Sequence, residues 1–98
     1  MAKQMIELTK ENFEQEVVKY KGKVVVDCWA NWCGVCKMMK PKYQEISDSH
    51  KDIKFCTLDV DQWPEFAEEQ QISNLPTIFV YEDGKVVNKG GFEVLEAL

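Results

Sequence analysis

Two cysteines separated by two residues, Cys33-Gly34-Val35-Cys36, follow closely on the hydrophobic run Val24-Val25-Val26-Asp27-Cys28-Trp29, which holds one acidic residue. That run has the makeup of a buried strand, and the pair stands where such a strand would hand over to a helix. At a helix start the unpaired N–H groups and the dipole favour negative charge, so Cys33 is placed to exist as a thiolate. The thiolate is the nucleophile of disulfide exchange, and Cys36, one helical turn on, is spaced to reach back and resolve the mixed disulfide. The competing chemistry is half of a zinc site, which needs four ligands and commonly draws them from a second Cys or His pair. No second pair is present: Cys28 and Cys56 are isolated on expected strands, and the single histidine, His50, sits near a polar helix end. No metal site is expected.

Asp27 is the third residue of interest. Aspartate is disfavoured in strands, and a carboxylate in a strand covered on both faces loses hydration, which raises its pKa. Beneath the Cys pair it could take the proton from Cys36 as that thiol attacks, and return it in the reverse direction. The plainer reading is a strand-end aspartate satisfied by a backbone N–H or water.

These side chains must be held by a small frame. At 98 residues the chain is read as one domain, 1–98, and a hydrophobic share of 45% with 30% charged residues suits an ordinary globular core rather than disorder. The net charge of −5 and the scattered lysines Lys37, Lys40 and Lys42 give a nucleic-acid partner little support. No apolar stretch is long enough to cross a bilayer, and Met1-Ala2-Lys3-Gln4-Met5 lacks a signal peptide's apolar core. A cytoplasmic protein without membrane contact is therefore expected. In that compartment thiols are kept reduced, so the four cysteines are not read as a structural disulfide framework.

The pattern along the chain alternates. Residues 5–8 read as a strand, and Thr9 as the N-cap of a helix to about Tyr20 with Phe13, Val17 and Val18 at helical spacing, closed by Lys21-Gly22. Residues 23–29 are nearly all apolar, as in a central strand with helices on both sides. The spacing of Val35, Met39, Tyr43 and Ile46 predicts an inward stripe on a helix from Gly34 to about His50, kinked rather than stopped by Pro41. A strand over 53–60 and a helix from Pro64 to about Gln71 follow. Strands over 77–81 and 85–88 flank Glu82-Asp83-Gly84, a hairpin signal. A short helix from Phe92 ends the chain. The order β-α-β-α-β-α-β-β-α predicts an α/β fold: a mixed sheet, parallel where helices intervene and antiparallel at the hairpin, with helices on both faces.

The segment from Asp27 to Lys37, together with Pro41 and Asn74-Leu75-Pro76-Thr77, resembles the thioredoxin family, and the likeness runs over almost the whole chain. The resemblance implies a thioredoxin-like fold and a protein disulfide reductase whose redox group is the Cys33–Cys36 disulfide itself, with no other cofactor. It implies Cys33 as nucleophile, Cys36 as resolving thiol and Asp27 as buried acid/base. Pro76 matches the family's cis-proline, which leaves the Leu75 backbone free for an extended substrate; from sequence alone it would read as a strand-initiating proline. Trp32, Gly34 and Val35 would belong to the substrate-binding rim. The implied partners are a thioredoxin reductase as electron donor and protein disulfides as substrates, acting on a monomer.

Three departures from the family pattern stand out. Val35 occupies the place of a proline that would fix φ at the helix start; its loss loosens that turn, and where stabilisation of the reduced form dominates it makes the pair more oxidising. Thr57 stands where many members carry a charged residue near the buried acid, leaving Asp27 governed more by desolvation and water. The last helix, 92–98, is shorter than the family's. Cys28 and Cys56 read as small buried hydrophobes, with a regulatory second disulfide as the alternative, and Met38-Met39 as helix packing. Trp63 reads as packed at a loop or helix edge. Against the reductase stand a binding or assembly module in which the Cys pair is incidental, and a more oxidising oxidoreductase.

Overall fold

The computed structural model describes residues 5–98, so Met1–Gln4, within the segment read for a signal peptide, lie outside the described residues. Five strands form one mixed sheet: β1 (Ile6–Leu8), β2 (Lys23–Trp29), β3 (Lys54–Asp59), β4 (Thr77–Glu82) and β5 (Lys85–Gly90), in the spatial order β1-β3-β2-β4-β5. Two α-helices, α1 (Gly34–Ser49) and α2 (Pro64–Glu69), complete the frame with a π-helical turn at Glu14–Val18 and a 3-10 turn at Phe92–Ala97.

β2 is the centre, and its side chains divide the core. Val24, Val26 and Cys28 pack on one face with Val17, Cys56, Leu58, Phe79 and Phe66 of α2. Val25 faces the other way, toward Tyr43 of α1, Phe55, Ile78, and Val94 and Leu95 of the C-terminal turn. Helical elements thus cover both faces, as the apolar composition of residues 23–29 requires.

The chain directions differ from the sequence reading at one point. β1, β3 and β2 run parallel, but β4 is antiparallel to β2 even though α2 intervenes between β3 and β4. The connection over residues 60–76 brings the chain back to the end of the sheet where β3 finished, and β4 starts there, with Thr77 opposite Cys28. The hairpin turn to β5 follows the composition: Asp83 and Gly84 both take positive φ, 51° and 84°, the two-residue turn that matches strand twist.

Local details correct several expectations. Thr9 closes a turn rather than capping the helix, its Oγ1 accepting from the Asn12 N–H while Asn12 Oδ1 accepts from the Thr9 N–H; the N-cap of the helical segment is Phe13, without a side-chain bond. The segment then widens into a π turn closed by Lys19 N–H to Glu14 O, and Val18 lies outside, 42% exposed, while Val17 is buried. The C-terminal segment is a 3-10 turn, consistent with so few residues relying on packing of Val94 and Leu95. Of the expected α1 stripe, Tyr43 is buried, Ile46 packs against the core and Met39 is half-buried, but Val35 is 56% exposed; Cys36 and Ser47 are the other buried positions. Met38 of the Met38-Met39 pair is exposed. The helix continues through Pro41 to Ser49. Trp63 packs against Phe13 and Phe66, at the edge of α2.

Tyr43 fastens α1 to the sheet. Its hydroxyl donates to the Cys56 carbonyl at 2.7 Å and reaches the Val25 carbonyl at 3.3 Å, in a fully buried position. Tyr43→Phe keeps the ring and leaves the carbonyls without that donor. The loss should lower stability by about 1–2 kcal/mol in urea denaturation, and an unchanged midpoint would show that the bond holds nothing.

Candidate active site

The site is built where β2 ends and α1 begins. Trp29 closes β2, and Cys33, in extended conformation, is the N-cap of α1. Its Sγ accepts a hydrogen bond from the Cys36 N–H at 3.2 Å, so sulfur does the work that serine or aspartate oxygen performs at other helix starts. Cys33 and Cys36 are joined by a disulfide with Cα atoms 5.3 Å apart, a separation within the usual range. The two sulfurs are therefore bonded to each other. Cys28 and Cys56 are free and buried in the core, and burial pushes the Cys56 thiol up to about 12 and the Cys28 thiol higher still. Both are inert packing groups at neutral pH.

The proposed substrate-binding residues fall around this junction. Trp32 is 71% exposed, its indole N–H donating to Asp61 Oδ1 at 3.4 Å. Gly34 has open space where a Cβ would project, and Val35 is exposed beside it. The Leu75–Pro76 peptide bond is cis, directly before the start of β4, and the Thr77 hydroxyl donates to the Asn74 carbonyl across it. Because Thr77 pairs with Cys28, Leu75 and Pro76 lie at the same end of the sheet as the disulfide.

Asp27 lies on the α1 face of β2, between Thr57 of β3 and Ile78 of β4. It is 7% exposed, and its Oδ1 has no hydrogen-bond partner among the described residues. Desolvation pushes its carboxyl from the ordinary 3.8 up to about 7, against the smaller opposing pull of the Lys40 charge. Desolvation governs Asp27, as the presence of Thr57 led us to expect, but Lys40 was not foreseen. The signal was there: Lys40 follows Cys36 by four residues and so shares its helix face. The Lys40 ammonium also sits 4.7 Å from the centre of the half-buried Trp29 ring. The bond from Trp32 to Asp61 had no sequence signal, since it joins two loops.

A bonded Cys-x-x-Cys pair at a helix N-cap, with a buried carboxyl of raised pKa on the strand that feeds it, defines a thiol–disulfide oxidoreductase. The family model for thioredoxin matches residues 4–96. Thioredoxin of Mycoplasmoides gallisepticum is 45% identical over 67 residues, covering 68% of this chain and 67% of that protein. A bifunctional thioredoxin reductase/thioredoxin of Mycobacterium leprae is 39% identical over 85 residues, 86% of this chain and 19% of the longer protein. Among solved structures, the oxidised form of mitochondrial thioredoxin 3 from Saccharomyces cerevisiae superposes with a TM-score of 0.80 at 32% identity, covering 88% of this chain and 81% of that one. The chain belongs to the thioredoxin family.

The raised carboxyl has a stability consequence. Unfolded Asp27 ionises near 3.8 and folded Asp27 near 7, so the fold binds this proton more tightly. The contribution is complete below about pH 4 and is lost as pH rises through 7; at about 1.4 kcal/mol per pH unit between the two values the loss reaches up to about 4 kcal/mol. Asp27→Asn should therefore be more stable than wild type at pH 8, with the advantage shrinking toward pH 4, in parallel denaturation series. An advantage independent of pH would contradict a buried, titrating carboxyl.

Proposed function

We propose that the protein is a cytoplasmic, monomeric protein disulfide reductase in which Cys33 attacks, Cys36 resolves and Asp27 manages the proton. The observation that carries this reading is the Cys33 sulfur at the helix N-cap, accepting the Cys36 N–H. The same N–H and the helix dipole favour negative charge on that sulfur once the disulfide is reduced.

In the reductive direction the Cys33 thiolate attacks one sulfur of a target disulfide. A Cys33–target bond forms and the other target sulfur leaves as a thiolate. Cys36 then gives its proton to the Asp27 carboxylate and attacks the Cys33 sulfur, closing the Cys33–Cys36 disulfide and releasing the second target thiolate. The target gains two electrons and the Cys33–Cys36 dithiol loses two. A carboxyl that titrates at about 7 is matched to this transfer at neutral pH.

Exposed Trp32, open Gly34 and exposed Val35 offer a flat apolar rim to the target, and the Leu75 backbone beside cis Pro76 would pair with its extended chain. A thioredoxin reductase would return the electrons, a partnership supported by the mycobacterial relative in which the two are one polypeptide.

Cys33→Ser should abolish reduction of a disulfide-bonded model protein, while Cys36→Ser should accumulate the mixed disulfide on Cys33, seen as a mass adduct removed by dithiothreitol. If Cys33→Ser abolishes reduction yet leaves target function in cells intact, the binding-module alternative is favoured. Val35 occupies the first turn of α1, where proline loses no intrahelical bond. Val35→Pro should move the midpoint in a glutathione series to a more negative potential; identical midpoints would remove Val35 as a determinant.

A further inference from the structure

A buried carboxyl that loads and unloads a proton in each turnover needs a way to water, since proton transfer spans a hydrogen bond or one intervening water. On the Cys33 side a docked target would cover the site. The sheet offers another direction. Three adjacent parallel strands set Asp27 of β2 opposite Thr57 of β3, and Thr57 opposite Glu7 of β1. Residues in register leave a sheet by the same face. Ile6, Val26 and Cys56 belong to the opposite face, so Asp27, Thr57 and Glu7 form one row on the α1 side. The row passes from a buried carboxyl through a half-buried hydroxyl to an exposed carboxylate, about 10 Å at normal strand spacing.

A cavity of about 570 Å³ opens over the outer part of the row, lined by Glu7 and Thr57 and, from α1, by Lys37, Lys40 and Tyr43. It is roomy and polar enough for water. The other neighbours of Asp27 close the remaining directions. Ile78 on β4 holds no transferable proton. The Tyr43 hydroxyl is committed to backbone carbonyls. The Lys37 and Lys40 ammoniums donate only and cannot accept an outgoing proton. Cys36, the remaining titratable group on that helix face, is the redox partner itself.

We propose that the row Asp27–Thr57–Glu7 is the proton path between the buried carboxyl and solvent, with the Thr57 hydroxyl as relay and Glu7 as surface collector. The proposal rests on the acid/base role of Asp27 given above. Outward, Asp27 gives its proton to Thr57 Oγ1, directly or through one cavity water, while the Thr57 hydroxyl proton passes to a cavity water or to the Glu7 carboxylate. One proton enters the row and one leaves, and rotation of the hydroxyl resets it. A hydroxyl can both donate and accept, which the task requires. Thr57 and Glu7 act through Asp27 and are positioning residues, not catalytic ones.

The test is multiple-turnover reduction of a disulfide-bonded model peptide at pH 7, with dithiothreitol recycling the dithiol and the protein-free rate subtracted, in dilute and in concentrated imidazole buffer, with thermal melts as the folding control. Thr57→Val, which keeps shape and deletes the hydroxyl, should slow the reaction about tenfold at both buffer strengths, short of the ~100-fold expected from losing a general acid/base outright. Thr57→Ser should recover most of the rate. Glu7→Gln should be slow in dilute buffer only and regain speed as imidazole replaces the surface collector. Asp27→Asn is run alongside: if it matches wild type, the acid/base reading fails and the path with it. If Asp27→Asn is slow while Thr57→Val and Glu7→Gln match wild type in dilute buffer, the path alone is wrong. Thr57→Ser as slow as Thr57→Val would reduce residue 57 to packing and overturn the relay.

Discussion

The double-sided burial of β2 is the constraint on which the rest of the molecule depends. Val24, Val25, Val26 and Cys28 have no exposed surface, and each face of the strand must therefore be roofed by helical elements. That requirement puts α1 on one side and α2 with the π turn on the other. It also makes the position of Asp27 costly: the one acidic residue in the run inherits the dryness of its neighbours. The carboxyl is held near neutrality because the strand around it is apolar, and the Lys40 charge only moderates the effect. Chemistry and core share a single strand, and packing that stabilises the fold also sets the proton affinity of the site.

The reactive pair draws on a different resource, the unsatisfied backbone at a helix start. Cys33 caps α1, and the bond from the Cys36 N–H ties the two residues of the motif through the peptide frame as well as through sulfur. The strand ends and the helix begins within a few residues, so a small displacement of β2 would move both the capped sulfur and the carboxyl below it. Tyr43, bonded to carbonyls in β2 and β3, opposes such displacement from the middle of α1. Exposed apolar groups at this junction, Trp32, Val35 and Met38, are the surface complement of the buried chemistry.

Much of this was legible before any coordinates. The Cys-x-x-Cys spacing, the all-apolar strand with its single acid, the proline at the start of α2 and the Asp83-Gly84 turn are local signals, and each has a mechanism that operates within a few residues. The errors were those of phase and direction. Val35 counted as inward because it is apolar and in phase with Tyr43, yet it is exposed at the first turn of α1, where the helix buries Cys36 instead. The residues around 13–18 show helical spacing, but the segment is pinned between the Thr9–Asn12 turn and the β2 entry and closes as a π turn. The direction of β4 depended on which end of the sheet the connection over 60–76 reaches, which no single position announces.

What the sequence determined by itself was the chemical inventory and its order: a thiol at a helix start, a second thiol one turn on, and an acid in the strand before them. These rest on interactions between near neighbours in the chain, where spacing alone sets geometry. Tertiary structure alone decided how dry Asp27 is, that Lys40 tempers it, and that Thr57 and Glu7 line up beside it. Strand register brings together residues 7, 27 and 57, which the chain separates by 20 and 30 positions, and that alignment exists only once three strands have found their places in the sheet.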